Sequence, residues 1–295
     1  MQETQSKAAL PVWGAATLAA AAVGTTLILI GIPWIFGRLL TSPGFAALPM
    51  PAIETLFTLV TFGLLALLAF AGIRLGKVPV PLGARPGVFA GAGLAIGVLG
   101  FTISLALCVI AGTAQEGMPA AEGMGLFLLE TALTVIQSGA EELTFRGWLQ
   151  GDLRRRWGRW PALGAAAFLF AVLHFVAAAQ EPLTFVTMLL GGLLFGLVYE
   201  KSGSLLLPWA LHFGWNWTEE LVFGLAPENP GTGTFGALLN IDTRGSPWWG
   251  GTQEGLNASL SSVIVLLALA AATLAWPDRS EAAAAGGLRK TPARG

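Results

Sequence analysis

Gly139-Ala140-Glu141-Glu142-Leu143-Thr144-Phe145-Arg146-Gly147 sets two adjacent carboxylates and an arginine into a chain otherwise almost as apolar as lipid. Upstream, Met124 to Ile136 carries no charge except Glu130. Ionisable side chains at membrane depth are costly, so they are kept where they meet partners or line a wet cavity. The fold reading follows from asking which other segments supply those partners.

The totals set the class. Of 295 residues, 54% are apolar and 11% charged, against about a quarter charged in an ordinary soluble chain; mean hydropathy is +0.69. This composition predicts an all-α polytopic membrane protein. A formal net charge of −1, without a basic patch interleaved with aromatics, gives no reason to expect nucleic acid as a partner. The single Cys108 excludes an internal disulfide and a cysteine metal cage. The first apolar run is longer than a signal-peptide core and reads as a retained anchor.

A spanning helix needs about 17–25 apolar residues. Eight segments are candidates: Leu10–Phe36, Ile53–Gly72, Val88–Gly112, Met124–Leu149, Pro161–Ala179, Leu183–Tyr199, Leu205–Leu225 and Leu260–Trp276. They predict one membrane domain over 10–276, with a core at about 124–225, a short cytoplasmic N-terminal tail (1–9) and a disordered tail at 277–295. With both termini cytoplasmic, the inner segments hold Lys7, Arg74, Lys77, Arg85, Arg154, Arg155, Arg156, Arg159, Lys201, Arg279, Arg289, Lys290 and Arg294. The outer ones hold only Arg38 and Arg244. That asymmetry is the positive-inside pattern, and Arg154-Arg155-Arg156 reads as a topology signal. The loop Pro227–Asn257 reads as an exterior loop resting on the membrane, with Trp248-Trp249 at headgroup level; a part in substrate access is the sharper alternative.

Both histidines of the chain, His174 and His212, fall inside predicted spans. Residues four apart share a helix face. Phe170 therefore stacks beside His174, His212 and Asn216 form a joint polar edge, and Glu142 can pair with Arg146. Glu141, about 100° further round, needs a partner from another helix. Three helices bringing polar groups into an apolar interior predict one shared intramembrane cavity. At 1.5 Å rise per residue the depths of Glu141, His174 and His212 disagree by about 10–15 Å. Glu219 and Glu220, a turn beyond Asn216, read as a solvated helix end.

Glu-Glu-x-x-x-Arg, then Phe-x-x-x-His, then His-x-x-x-Asn on successive membrane segments resembles the CPBP family, the CAAX-processing type II prenyl proteases and their bacterial relatives, also called Abi proteins. The resemblance runs from about Glu130 to Leu225. It implies an eight-helix intramembrane endopeptidase opening to the cytoplasm and acting on a membrane-associated or lipidated peptide or protein. By that resemblance Glu141 and His174 bind and activate the attacking water. His212 and Asn216 stabilise the oxyanion, and Glu142 with Arg146 holds the helix and sets the local field. Carboxylate and imidazole are also acceptable Zn²⁺ ligands, so Glu141, His174 and His212 are the candidate metal ligands should a divalent metal be used; a glutamate-activated water without metal is the preferred mechanism.

Rival readings use the same residues. A non-proteolytic scaffold or bacteriocin-immunity protein keeps the cavity for binding, and a proton-coupled transporter uses buried Glu and His as a relay. Ser138-Gly139 lacks the rhomboid glycine, since Ile136 stands two before the serine. No His-Glu-x-x-His or Gly-x-Gly-Asp occurs. The Ala/Gly/Arg-rich composition points to a bacterial inner membrane, where prenylated tails are not expected, and oligomeric state is not encoded legibly.

Overall fold

Prolines at first turns and left-handed residues past last turns fix most helix ends. Helix α3 (Met50–Gly76) has Pro51 in its first turn and closes on Lys77 at φ 51°, whose backbone N–H returns to Ile73 and Arg74. Helix α8 (Pro182–Ser202) begins on proline and ends on Gly203 at φ 53°. A fixed φ suits the start of a helix and freedom at positive φ suits its end.

The computed structural model describes residues 2–117, 124–177, 181–225 and 235–277. Its other helices are α1 (Gln2–Leu39), the short α2 (Pro43–Ala46), α4 (Pro86–Ile110), α5 (Met124–Glu142), α6 (Gly151–Trp157), α7 (Arg159–Ala177), α9 (Leu206–Trp217) and α10 (Leu260–Ala275). Each of the eight expected segments is helical over most of its described length, with Ala111–Gly112 in a turn and Phe223–Leu225 beyond the last helical turn of theirs; 178–179, 227–234 and 278–295, which carry parts of the expected fifth span, outer loop and tail, lie outside the described residues. Among the described residues, five helices are long and apolar enough to cross a membrane: Val12–Leu39, Met50–Gly76, Pro86–Ile110, Arg159–Val176 and Pro182–Ser202. Exposed Leu27, Leu67, Leu99, Ile110 and Phe168 form the kind of apolar surface that suits acyl chains rather than water.

Two departures from regular α-helix matter for the site. Leu143–Gln150 and Thr218–Val222 are π-helical, a geometry frequent at functional sites. The first joins α5 to α6, so one helical rod runs from Met124 to Trp157 with Glu141 near its middle. The only strands among the described residues are β1 (Ala114–Glu116) and β2 (Ile241–Thr243), an antiparallel ribbon pairing Gln115 with Asp242.

Two apolar cores form. One gathers Phe101, Leu194, Leu211, Trp215 and Leu266 from α4, α8, α9 and α10; the other gathers Ala69, Phe145, Leu149, Ala166 and Phe170 from α3, the motif rod and α7. Helices α4 and α9 approach most closely. A Cβ added at Gly93 or Gly97 would collide with the carbonyls of Leu207 or Leu211, and one at Gly214 with that of Leu94. Small residues permit such backbone approach in membranes, and here they fix α9, which carries His212.

At the basic end, Asp152 is almost wholly buried and accepts hydrogen bonds from Thr17 (2.7 Å), Arg155 (2.5 Å) and Arg156 (2.6 Å), tying α1 to α6. Arg154 reaches Glu200 at 3.2 Å. The arginine run thus does structural work beyond marking topology. Burial, which acts to raise the Asp152 carboxyl, is outweighed by the bonds from Arg156, Thr17 and Arg155, so it is held below its ordinary range. A depressed carboxyl contributes stability that is full above its unfolded value and is lost as pH falls through the folded one. Asp152→Asn should therefore lower the melting temperature at neutral pH, with the gap to wild type closing below about pH 4. Thermal unfolding of both proteins across that range checks it.

Candidate active site

Where the two cores meet, a cavity of about 290 Å³ takes side chains from five helices and an outer loop. Gly139 prepares it: a Cβ there would strike the Trp209 indole, which donates instead to the Val135 carbonyl at 3.1 Å. This draws α9 onto α5 directly before the two glutamates.

Glu141 Oε2 lies 3.6 Å from His174 Nε2 and 3.9 Å from His212 Nε2. It is buried and makes no hydrogen bond to protein. Each imidazole is held from its far side: His174 Nδ1 stands 2.9 Å from the Phe170 carbonyl, and His212 Nδ1 2.9 Å from Glu142 Oε1. A carbonyl or carboxylate oxygen can only accept, so both Nδ1 atoms donate. That fixes the tautomer of each ring when neutral, and in that form both Nε2 lone pairs face Glu141. Three acceptors converging on one point call for a donor between them, and a water molecule supplies two protons.

Glu142 is held in turn. Arg146 Nη1 donates to its Oε1 at 2.7 Å, and Arg146 Nη2 to the Gly192 carbonyl at 3.1 Å. Both charges are fully enclosed. Aromatic rings pack the layer: Phe170 lies 4.2 Å from His174, Phe195 stacks on His212 at 4.7 Å, and the Arg146 guanidinium sits 4.9 Å over Phe170 and 5.2 Å over Phe195. Such contacts restrict ring rotation and stabilise the guanidinium.

Glu141, His174, His212 and Asn216 line the cavity, while Glu142 and Arg146 lie behind His212. The 10–15 Å disagreement in depth vanishes because the motif sits midway along a longer rod and the long side chains bridge the rest. Among the described residues, no three His, Cys, Asp or Glu side chains stand as a group that could hold a metal ion.

Two expectations are corrected. Glu219 and Glu220 are not a solvated helix end; both line the cavity, and Glu219 is buried and accepts from Asn257 Nδ2 at 3.2 Å. Their spacing of three and four from Asn216 was the available signal. The described part of the outer loop does more than rest on the membrane. Glu254 accepts from the Glu181 backbone N–H (3.0 Å) and from the Thr184 hydroxyl, and Asn257 closes the cavity wall. Gln137, Thr187 and Ser262 also line it, without any sequence signal that singled them out.

Fold and site together define a class: a helical membrane protein with a buried carboxylate–imidazole cavity. Residues 123–218 match the family model described as type II CAAX prenyl endopeptidase Rce1-like. All six motif residues lie within it. An 81-residue stretch is 37% identical to the uncharacterized protein YpbD of Bacillus subtilis (strain 168), covering 28% of this chain and 38% of that protein. The chain thus spans well under half the length of the curated relative it matches. No solved structure matches it.

Proposed function

We propose that the protein is an intramembrane endopeptidase that hydrolyses peptide bonds of membrane-associated peptides by a water activated between Glu141 and His174. The observation carrying this reading is the buried Glu141 Oε2, free of protein hydrogen bonds and faced by two imidazole Nε2 atoms. Glu141 takes a proton from the water as its oxygen attacks the scissile carbonyl, and the proton passes to the leaving amine as the C–N bond breaks. The carbonyl oxygen becomes an oxyanion, stabilised by the Asn216 amide and by His212 when its Nε2 is protonated. Glu142 then faces an imidazolium through Nδ1, as the buried carboxylate of a catalytic triad does.

The lysine and arginine distribution supports eight spans with the Arg154–Arg156 end cytoplasmic, and the Ala/Gly/Arg-rich composition supports a bacterial inner membrane. The cavity then occupies the opposite half of the bundle, since it uses the outer parts of α8 (Thr187, Met188), α7 (His174) and α10 (Ser262). Between it and the arginines lie Phe145, Arg146, Leu149 and Gln150, all buried. The resemblance implies a cytoplasmic opening, and the basic end and the cavity do not share a face. We favour the orientation set by charge.

Removing one preorganised oxyanion donor typically costs about 10²–10³ in kcat. Asn216→Ala should lose that much while KM changes little, measured on a quenched-fluorescent membrane peptide in liposomes. Unchanged kcat would remove Asn216 from the mechanism. Substrate-dependent proton flux without any peptide product would favour the transporter reading instead.

A further inference from the structure

One helical turn from the reacting groups the cavity has a second polar layer. Helices α5 and α9 run antiparallel, since Trp209 meets Val135 and Gly139 while Trp217 donates to the Thr131 hydroxyl at 3.1 Å. Glu141 on α5 faces His212 on α9. Gln137 stands four residues back along α5 and Asn216 four residues on along α9, and both line the cavity. In an antiparallel pair those two steps go the same way. Gln137 and Asn216 therefore oppose each other about 6 Å beyond the level of Glu141 and His212. The other hydroxyl and amide side chains of the wall are engaged within the protein. Thr187 donates to the Asn257 carbonyl, Asn257 Nδ2 donates to Glu219, and Ser262 bonds Ser104 at 2.9 Å. Gln137 and Asn216 make no hydrogen bond to any described residue.

A side-chain amide without a partner is costly in a poorly hydrated cavity, and a peptide that enters brings backbone N–H groups carrying the same cost. The Glu141 level supplies the attacking water and Asn216 the oxyanion contact, so the cleaved carbonyl lies between the two layers. One extended residue spans about 3.3 Å, which puts a neighbouring peptide group within reach of Gln137. We propose that Gln137 is a substrate-binding residue whose side-chain oxygen accepts the N–H of a peptide group next to the cleaved bond. The cavity then holds an extended segment by its backbone rather than by a particular side chain, as main-chain bonding does in other peptide-recognition sites. This binding rests on the hydrolase reading and leaves the proton transfers with Glu141.

The test pairs a change in the protein with a change in the peptide. Full-length wild type and Gln137→Met, which keeps the length of the side chain without its amide, are compared in phosphatidylcholine liposomes. One membrane-anchored peptide is made in three forms: all-amide, or with an ester replacing the peptide group on one or the other side of the cleaved bond. Cleavage at the unchanged bond is read by mass spectrometry. Wild type should lose about tenfold in kcat/KM on one of the two esters, and Gln137→Met about tenfold on the all-amide peptide. In Gln137→Met that ester should then cost less than about twofold, because both changes remove the same bond. A residue that only supported its helix would slow all three peptides alike and leave the ester effect intact. That result, or esters cut by wild type as fast as the amide, overturns the assignment and leaves the hydrolase reading standing. If no peptide is cut, binding of the three forms, read by tryptophan fluorescence, separates the two. Weaker binding of one ester to wild type but not to Gln137→Met keeps the backbone contact and removes the hydrolase. Equal binding of all three, or the same ester effect in both proteins, removes the contact.

Discussion

Glu141→Gln should abolish peptide cleavage, lowering kcat by at least about 10³-fold, while the protein remains folded and inserted. The glutamine keeps the volume and one carbonyl acceptor, so neighbouring side chains need not move. It cannot take a proton from water, and general-base catalysis alone contributes about 10²–10⁴-fold. Glu141 also gives that proton to the leaving amine, so both halves of the reaction suffer. His174→Ala should be of similar size, since it removes the second group facing the water. Removing groups that act as one unit is not additive, so the double variant should be little worse than either single one. Initial rates on a membrane-anchored peptide, with folded fraction measured on the same samples, check all three.

Arg146→Ala carries the largest expected effect on stability. It leaves the Glu142 carboxylate fully buried with only His212 beside it, and empties the space between Phe145, Phe170 and Phe195. Breaking a buried ion pair from one side costs about 3–5 kcal/mol. Arg146→Lys should recover only part of that loss. A single ammonium does not reproduce the fork that bonds Glu142 with one nitrogen and the Gly192 carbonyl with the other. Thermal unfolding in detergent should rank wild type above Arg146→Lys above Arg146→Ala. Equal melting temperatures would show that the pair does not hold the motif rod against α8.

Much of this arrangement could be read from the residues because membrane burial makes polar side chains conspicuous. Two histidines and a Glu-Glu-x-x-x-Arg motif in lipid-like surroundings stand out whatever the helix boundaries are. The i,i+4 rule then pairs Glu142 with Arg146 and Phe170 with His174. Links across helices were not legible. Nothing in the spacing says that His212 Nδ1 bonds Glu142, because 70 residues separate them and the contact depends on glycines of α4 admitting α9. Glu219 and Glu220 were misread because distance along the helix was taken for nearness to water, whereas a loop 30-odd residues downstream folds back and covers Glu219. The π-helical turns and the β1–β2 ribbon leave no periodic signal at all, being fixed by tertiary packing.

The claim on which the account rests is that water, activated by Glu141, attacks the peptide carbonyl directly. Single-turnover cleavage in H₂¹⁸O with hydroxylamine present, read by mass spectrometry of the new C-terminus, tests it most directly. Direct attack predicts one ¹⁸O in the new carboxylate and no hydroxamate. A hydroxamate product would mean that a side chain, not water, attacks first, and would contradict the account.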